Sequence, residues 1–272
     1  MPVVLQDAKP SVAILGNGPA GAFINRACLE QGITPDVFSA TPICHIPAGA
    51  FWYHDLPEAL KPRVPAATIL NVGLGKGSTY SAKMWGLPLK SSFPTVPSTE
   101  LGYNAKASLR ELWAPNFKVH IKRFDTDGQV LDFAQEYDLV FQTFPTYASR
   151  KHNSFVSRRI FTYTKPVPCL SKLGICLYNG LTNPKLSNWL RLTWLFGTLS
   201  IETLGIIPTG QSGFKLAGVE TKLHPETKPV EGFRDDNIIL VGRFAQWSPK
   251  MLAHEAYSRA KLVLTEMRLG LR

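Results

Sequence analysis

The chain has 272 residues, 44% hydrophobic and 18% charged, with 30 lysines and arginines against 20 acidic residues and a net charge of +10. That balance excludes a disordered chain and suits a globular protein with one large core or two modest ones. Four cysteines (Cys28, Cys44, Cys169 and Cys176) form neither a C-x-x-C pair nor a zinc spacing with histidine, so reduced thiols in a cytoplasmic setting are expected.

Residues 1–10 (MPVVLQDAKP) lack a basic segment followed by an apolar one, so a secretory signal is not expected. Residues 11–39 carry the strongest pattern. Val12, Ile14 and Leu15 form a short apolar run without helical period, as a buried parallel strand does. Gly16, Gly18 and Gly21 follow as G-x-G-x-x-G, between that strand and a helix opened by Pro19 and Ala20. In this motif the first glycine permits a tight turn, the second admits a pyrophosphate to the backbone, and the third lets helix and strand pack. Ala20, Ile24, Ala27 and Cys28 recur at helical spacing, and Gly32 ends the helix. The helix N-terminus would face a diphosphate. An ordinary tight turn between strand and helix is the other reading of the same residues. The second strand, residues 36–40, has Ser39 where an acidic residue normally accepts hydrogen bonds from a ribose; Asp36 comes too early. The identity of the dinucleotide therefore stays open between FAD, NAD and NADP.

Residues 41–58 read as a loop rich in Gly, Pro, His and aromatics, with His45 and His54 as candidates for contact with a ring or substrate, or as surface histidines. Gly73, Gly75 and Gly77 alternate and could line a second anion site, without the spacing of a P-loop. Residues 118–145 read as a small β-meander turning at Asp127-Gly128 and ending in a buried strand, 138–145. Residues 158–163, 175–178, 190–195 and 198–204 read as an antiparallel sheet, with 205–218 and 222–232 as loops. The most apolar stretch, 189–208, is interrupted by Arg191 and Glu202 and reads as paired strands rather than a membrane span. Residues 237–241 form a last apolar strand; Gly242 and Arg243 follow. Ser248 and Pro249 then open a helix whose stripe is Leu252, Ala256, Ala260, Val263, Leu264 and Met267.

The fold class expected is α/β: a Rossmann-like FAD/NAD(P)-binding domain with a parallel sheet and meander, and an inserted α+β substrate domain with an antiparallel sheet. The dinucleotide domain would comprise 1–58, 112–146 and 232–272. Residues 59–111 would form a segment facing substrate and flavin, and 147–231 the antiparallel substrate domain.

Three further patterns carry a resemblance. Tyr80-x-x-Lys83-x-Trp85-Gly86, the strand Asp138-x-Val140-x-x-Thr143-x-Pro145, and Gly242-Arg243 before the last helix follow the glycine motif in order. Together they resemble FAD-dependent oxidoreductases of the glutathione-reductase-like superfamily, in particular UDP-galactopyranose mutases and amine- or protoporphyrinogen-oxidase-like relatives. The resemblance implies FAD held by Gly16, Gly18, Pro19, Ala20, Gly21 and Ser39 at one end, and by Gly242, Arg243 and Trp247 at the other. It implies hydride transfer from a substrate C–H, an amine for instance, to flavin N5. Lys83 or Arg243 would stabilise charge on the flavin, and Tyr80, Trp85 and His54 would line the substrate face. A redox-neutral mutase, an NAD- or NADP-dependent enzyme and a non-catalytic nucleotide-binding protein are the alternatives. The basic clusters Lys118/Lys122/Arg123 and Arg150/Lys151/His152/Arg158/Arg159 are either a solvated surface or an attraction for an anionic partner. Such a partner would be a small nucleotide-linked molecule or nucleic acid, with no membrane involved.

Overall fold

A computed structural model describes residues 9–42, 49–85, 93–113, 118–146, 155–168, 172–182, 188–207, 213–225, 236–242, 245–246 and 252–271. The chain divides into two compact units, one of Met1–His45, Leu112–Ser154 and Thr227–Arg272, the other of Ile46–Glu111 and Phe155–Glu226.

Unit 1 is built on five parallel strands: β1 (Val12–Leu15), β2 (Asp36–Ser39), β6 (Val119–Ile121), β7 (Leu139–Gln142) and β13 (Ile238–Leu240). Their order is β13-β7-β1-β2-β6, and all four pairings are parallel. Every residue of β1 and β7 is buried, which is why both read as continuous apolar runs rather than alternating ones. Helix α1 (Pro19–Glu30) buries Ala22, Phe23, Ile24, Ala27 and Cys28. It packs beside the last helix, α5 (Ala253–Arg268), whose Tyr257 hydroxyl donates to Glu30. Ala256, Ala260, Val263 and Leu264 are the buried part of the α5 stripe. The described helix starts after Leu252, whose N–H donates to the Glu255 carboxylate at 2.6 Å; Ser248 and Pro249 lie outside the described residues.

Residues 118–145 are not a meander. They run β6, then helix α4 (Asp127–Ala134), then β7, a parallel crossover. Asp127-Gly128 reads as a hairpin turn, but Thr126 is the stronger signal. Its hydroxyl accepts from the Gln129 N–H at 3.2 Å, and the Gln129 side chain accepts from the Asp125 N–H at 2.6 Å, a reciprocal N-terminal cap. The helix then sends Val130, Phe133 and Ala134 onto Ala13, Leu15 and Val140 in a common core.

Unit 2 is one eight-stranded sheet of β3 (Trp52–Tyr53), β4 (Ala66–Gly75), β5 (Ser98–Asn104), β8 (Phe155–Pro166), β9 (Leu173–Gly180), β10 (Trp189–Leu195), β11 (Thr198–Thr203) and β12 (Lys215–Pro225). The order is β12-β8-β11-β10-β9-β4-β5-β3, antiparallel except for the β4–β9 pair. The apolar stretch predicted as paired strands is the β10–β11 hairpin, turned by Phe196 and Gly197, both at positive φ. Arg191 and Glu202, which interrupt it in sequence, stand directly opposite each other. β12 takes 215–218 of the first predicted loop and 222–225 of the second, pairing along β8 from Lys215 opposite Thr164 to Pro225 opposite Phe155 with a register shift between Leu216 and Gly218; residues 226–232 lie outside the described residues. The irregularity at Gly218 interrupts the alternation that would have announced a strand. Helix α2 (Gly77–Trp85) follows β4, and α3 (Ala105–Trp113) follows β5. Gly73 and Gly75 belong to β4 and do not form an anion loop. A Cβ on Gly73 would meet the Pro94 carbonyl at 2.2 Å, and one on Gly75 the Gly180 carbonyl at 2.4 Å, so close packing accounts for both.

Candidate functional site

The turn between β1 and α1 assigns its three glycines to different tasks. Gly16 lies at φ +115, donates its N–H to Phe38 O at 2.8 Å, and has room for no Cβ, which would fall 2.1 Å from Thr143 Oγ1. Thr143 holds the opposite side, its hydroxyl and N–H both donating to Leu15 O at 2.9 and 3.0 Å. A Cβ on Gly21 would fall 2.1 Å from Gly16 O, so this glycine sets the distance between helix and strand. Gly18 differs from both. Its φ is −74, and a Cβ there would meet nothing within 4 Å among the described residues. Close packing does not account for that glycine. Open space beside it is what a diphosphate approaching the backbone needs.

The helix end is suited to an anion. Pro19 opens α1, the N–H groups of Ala20 and Gly21 have no intrahelical acceptor, and the first turn carries no acidic side chain. Gly242, at φ +99, turns the chain after β13 so that a Cβ there would lie 3.1 Å from Ala20 Cβ. The structure thus brings Gly16, Gly18, Pro19, Ala20, Gly21 and Gly242 together in unit 1. Asn17, which the sequence reading passed over, is buried in the same turn and donates to Thr41 O at 2.9 Å, tying the turn to the segment after β2. Only its place inside G-N-G could have hinted at it, since its partner is 24 residues away.

Ser39 ends β2 with its hydroxyl accepting from the Thr41 N–H at 3.3 Å. Asp36 accepts from the Tyr137 hydroxyl at 3.1 Å; burial and that carboxylate push the tyrosine up to about 12. The two cations following β6 are also occupied. Lys122 Nζ sits 4.1 Å from the Phe133 ring centroid, and Arg123 Nε 2.8 Å from Asp125.

The candidate catalytic residues lie in unit 2. Tyr80, on α2, is only 6% exposed and packs on Phe93 and Tyr178, with ring centroids 5.7 and 5.6 Å away. Burial raises its phenol well above the ordinary range. Lys83, one turn on, donates to Asn179 O at 3.4 Å, and partial desolvation lowers its pKa. Trp85 is the last residue of α2. His54, just past β3, places Nδ1 2.6 Å from Glu100 Oε2. A hydrogen-bonded chain runs from His54 to Tyr178, the ring on which Tyr80 packs. The Tyr178 hydroxyl donates to Asn71 Oδ1 at 3.3 Å, and Asn71 Nδ2 donates to Glu100 Oε1 at 2.8 Å. Beside it, Arg191 and Glu202 form a buried ion pair at 3.0 Å, with the guanidinium 4.9 Å from the Phe51 ring centroid. His45, Gly86, Arg243 and Trp247 lie outside the described residues.

No protein-family model matches the sequence, and no curated protein matches it. Solved structures do match. The flavin-dependent brominase Bmp2 superposes with a TM-score of 0.52 at 11% identity, over 95% of this chain and 79% of that one. The tetracycline destructase Tet(51) gives 0.51 at 10% identity, over 96% and 82%. The flavin-dependent halogenase CmlS gives 0.53 at 14% identity over 97% of this chain and 60% of its own. At such identities the shared property is the fold. These comparisons support the FAD-binding fold that the sequence patterns resemble, but not its amine-oxidase or UDP-galactopyranose mutase branch. The chain has the fold of flavin-dependent enzymes.

Proposed function

We propose that the chain binds FAD and acts as a flavin-dependent oxidoreductase. The observation that carries this reading is the open space at Gly18, set between two glycines whose own space is filled, at an uncapped helix end in a parallel sheet. The residues present fit the diphosphate. The N–H groups of Ala20 and Gly21 would donate to it, Gly18 would let it approach, and Gly242 would keep the neighbouring turn clear. Ser39 would offer a hydroxyl to the ribose. The missing acid leaves the ribose contact to Ser39 whichever dinucleotide binds, so the preference for FAD rests on the fold shared with flavin-dependent enzymes. When bound, FAD supplies a two-electron carrier.

On the substrate side, hydride donation from a C–H to flavin N5 is the reaction that the sequence resemblance implies. Similarity to a brominase and a halogenase widens the field to other flavin chemistry. Tyr80 supports the aromatic wall of unit 2, and Lys83 and His54 are ionisable side chains with some access to solvent. The net charge of +10 favours an anionic substrate, small and nucleotide-linked or a nucleic acid. Retention on heparin that weakens steeply with salt is the expected signature of that charge.

The deciding experiment is the visible absorption spectrum of the purified protein, repeated on the filtrate after denaturation. A flavin spectrum with FAD identified by mass is the expected result. A colourless protein that cannot be reconstituted with FAD would overturn the proposal, and NADH and NADPH would then be titrated in its place. Bound FAD that no reductant or substrate bleaches anaerobically would leave a nucleotide-binding protein without turnover.

A further inference from the structure

We infer that His54 and Glu100 form a carboxylate–imidazole pair whose working atom is His54 Nε2, a proton acceptor for an O–H or N–H acid docked beside Trp52. The pair lies wholly within unit 2, and its test does not depend on flavin.

The carboxylate is built in rather than incidental. Glu100 Oε2 lies 2.6 Å from His54 Nδ1, while Oε1 accepts from Asn71 Nδ2 at 2.8 Å and Trp52 Nε1 at 3.2 Å. Asn71 is fixed in turn by the Tyr178 hydroxyl at 3.3 Å. Three strands therefore meet at one carboxylate, β3 with Trp52, β4 with Asn71 and β5 with Glu100, and β9 stands behind them with Tyr178 on Asn71. Burial alone would raise the Glu100 carboxyl, but the donors from His54, Asn71 and Trp52 bring it below the ordinary value, so it is an anion. An anion at Nδ1 requires a proton there. Neutral His54 is then the Nδ1–H tautomer, with the Nε2 lone pair left as acceptor. The His54 side chain is 42% exposed, so that lone pair is reachable, and Trp52 stands edge-on to the imidazole with ring centroids 6.3 Å apart. Asp55 pairs with Lys61 at 3.0 Å, and Arg191 with Glu202.

In the step proposed, the bond between hydrogen and the substrate heteroatom breaks, the proton moves to Nε2, and the electron pair stays on the heteroatom. The imidazolium formed keeps its Nδ1–H on Glu100. His54 is the catalytic residue and Glu100 its positioning residue, in the manner of other carboxylate–histidine pairs.

Nitrogen-15 NMR of the full chain, with His54 assigned by loss of its signals in His54→Asn, reads the tautomer directly. The expected result is Nδ1–H in the neutral form, shifting towards Nε2–H in Glu100→Gln. p-Nitrophenol, a chromophoric O–H acid, reads the proton transfer as growth of the phenolate band on binding. Glu100→Gln is expected to weaken that growth by roughly tenfold, and His54→Asn to abolish it. Glu100→Asp, which keeps the anion, is expected to restore part of it. An Nε2–H tautomer in the wild-type protein, or a phenolate signal equal in wild type and His54→Asn, would overturn the inference. A protein that fails to bind FAD but passes both measurements would overturn only the cofactor reading.

Discussion

Alanine at Gly18 and at Gly21 separates the packing role of this motif from its binding role. In Gly21→Ala the new methyl group falls 2.1 Å from a backbone oxygen, where real Cβ contacts exceed 3.0 Å, so helix and strand must part by about 1 Å. Neither partner is a flexible side chain that could swing away. Overpacking of that kind costs about 2–3 kcal/mol, and a fall in melting temperature of roughly 5–10 °C follows. In Gly18→Ala the methyl group meets nothing within 4 Å among the described residues, and φ −74 suits any residue. Lower chain entropy in the unfolded state and a poorer N-cap offset each other within about 0.5 kcal/mol, so the melting temperature should hardly move. The methyl group does, however, occupy the space assigned to the diphosphate, and a loss of affinity of tenfold or more, about 1.4 kcal/mol, is expected. Circular dichroism melts without FAD and fluorescence titration with FAD read the two effects separately. If Gly18→Ala bound FAD as tightly as wild type, the diphosphate could not lie against Gly18. A Gly21→Ala protein as stable as wild type would refute the packing argument.

The buried pair in unit 2 calls for a mutant cycle. Arg191→Met strands the Glu202 carboxylate and should cost about 3 kcal/mol or more in urea unfolding, whereas the double change with Glu202→Leu should recover most of that loss. Thr126→Ala removes the α4 cap and should cost about 1 kcal/mol, with Thr126→Ser close to wild type. The folded Glu100 carboxyl is held below its ordinary value, so its contribution is present above the unfolded pKa and is lost as pH falls through the lower folded one. The stability gap between wild type and Glu100→Gln should therefore hold near neutral pH and close below about pH 4. A gap that widened on acidification would reverse the sign of that reasoning. Cys28, whose thiol burial pushes up to about 12, and buried Cys176 should resist alkylation in the native protein and react once it is unfolded.

What the sequence by itself determined is what short spacing encodes. The apolar runs of β1, β7 and β13, the glycine turn and the start of α1 each need only neighbours in the chain, and each was legible. So was the strand-rich composition of unit 2. Misreadings came where two local signals competed. Asp127-Gly128 suits a hairpin, but the cap formed by Thr126 and Gln129 decided for a helix; Gly218 hid the alternation of β12. Only the tertiary structure could separate the three glycines. Thr143, more than 120 residues along the chain, fills the space at Gly16, while none of the described residues fills that at Gly18. It alone placed Arg191 opposite Glu202, because strand register sets that pairing. Glu100 is the plainest case. In sequence it is one acidic residue in STELGYN, with no motif around it. It becomes a fixed anion because Trp52 of β3, His54 just past it and Asn71 of β4 each bring a hydrogen-bonding group to β5, with Tyr178 of β9 holding Asn71, and sheet order is settled by packing across the whole unit.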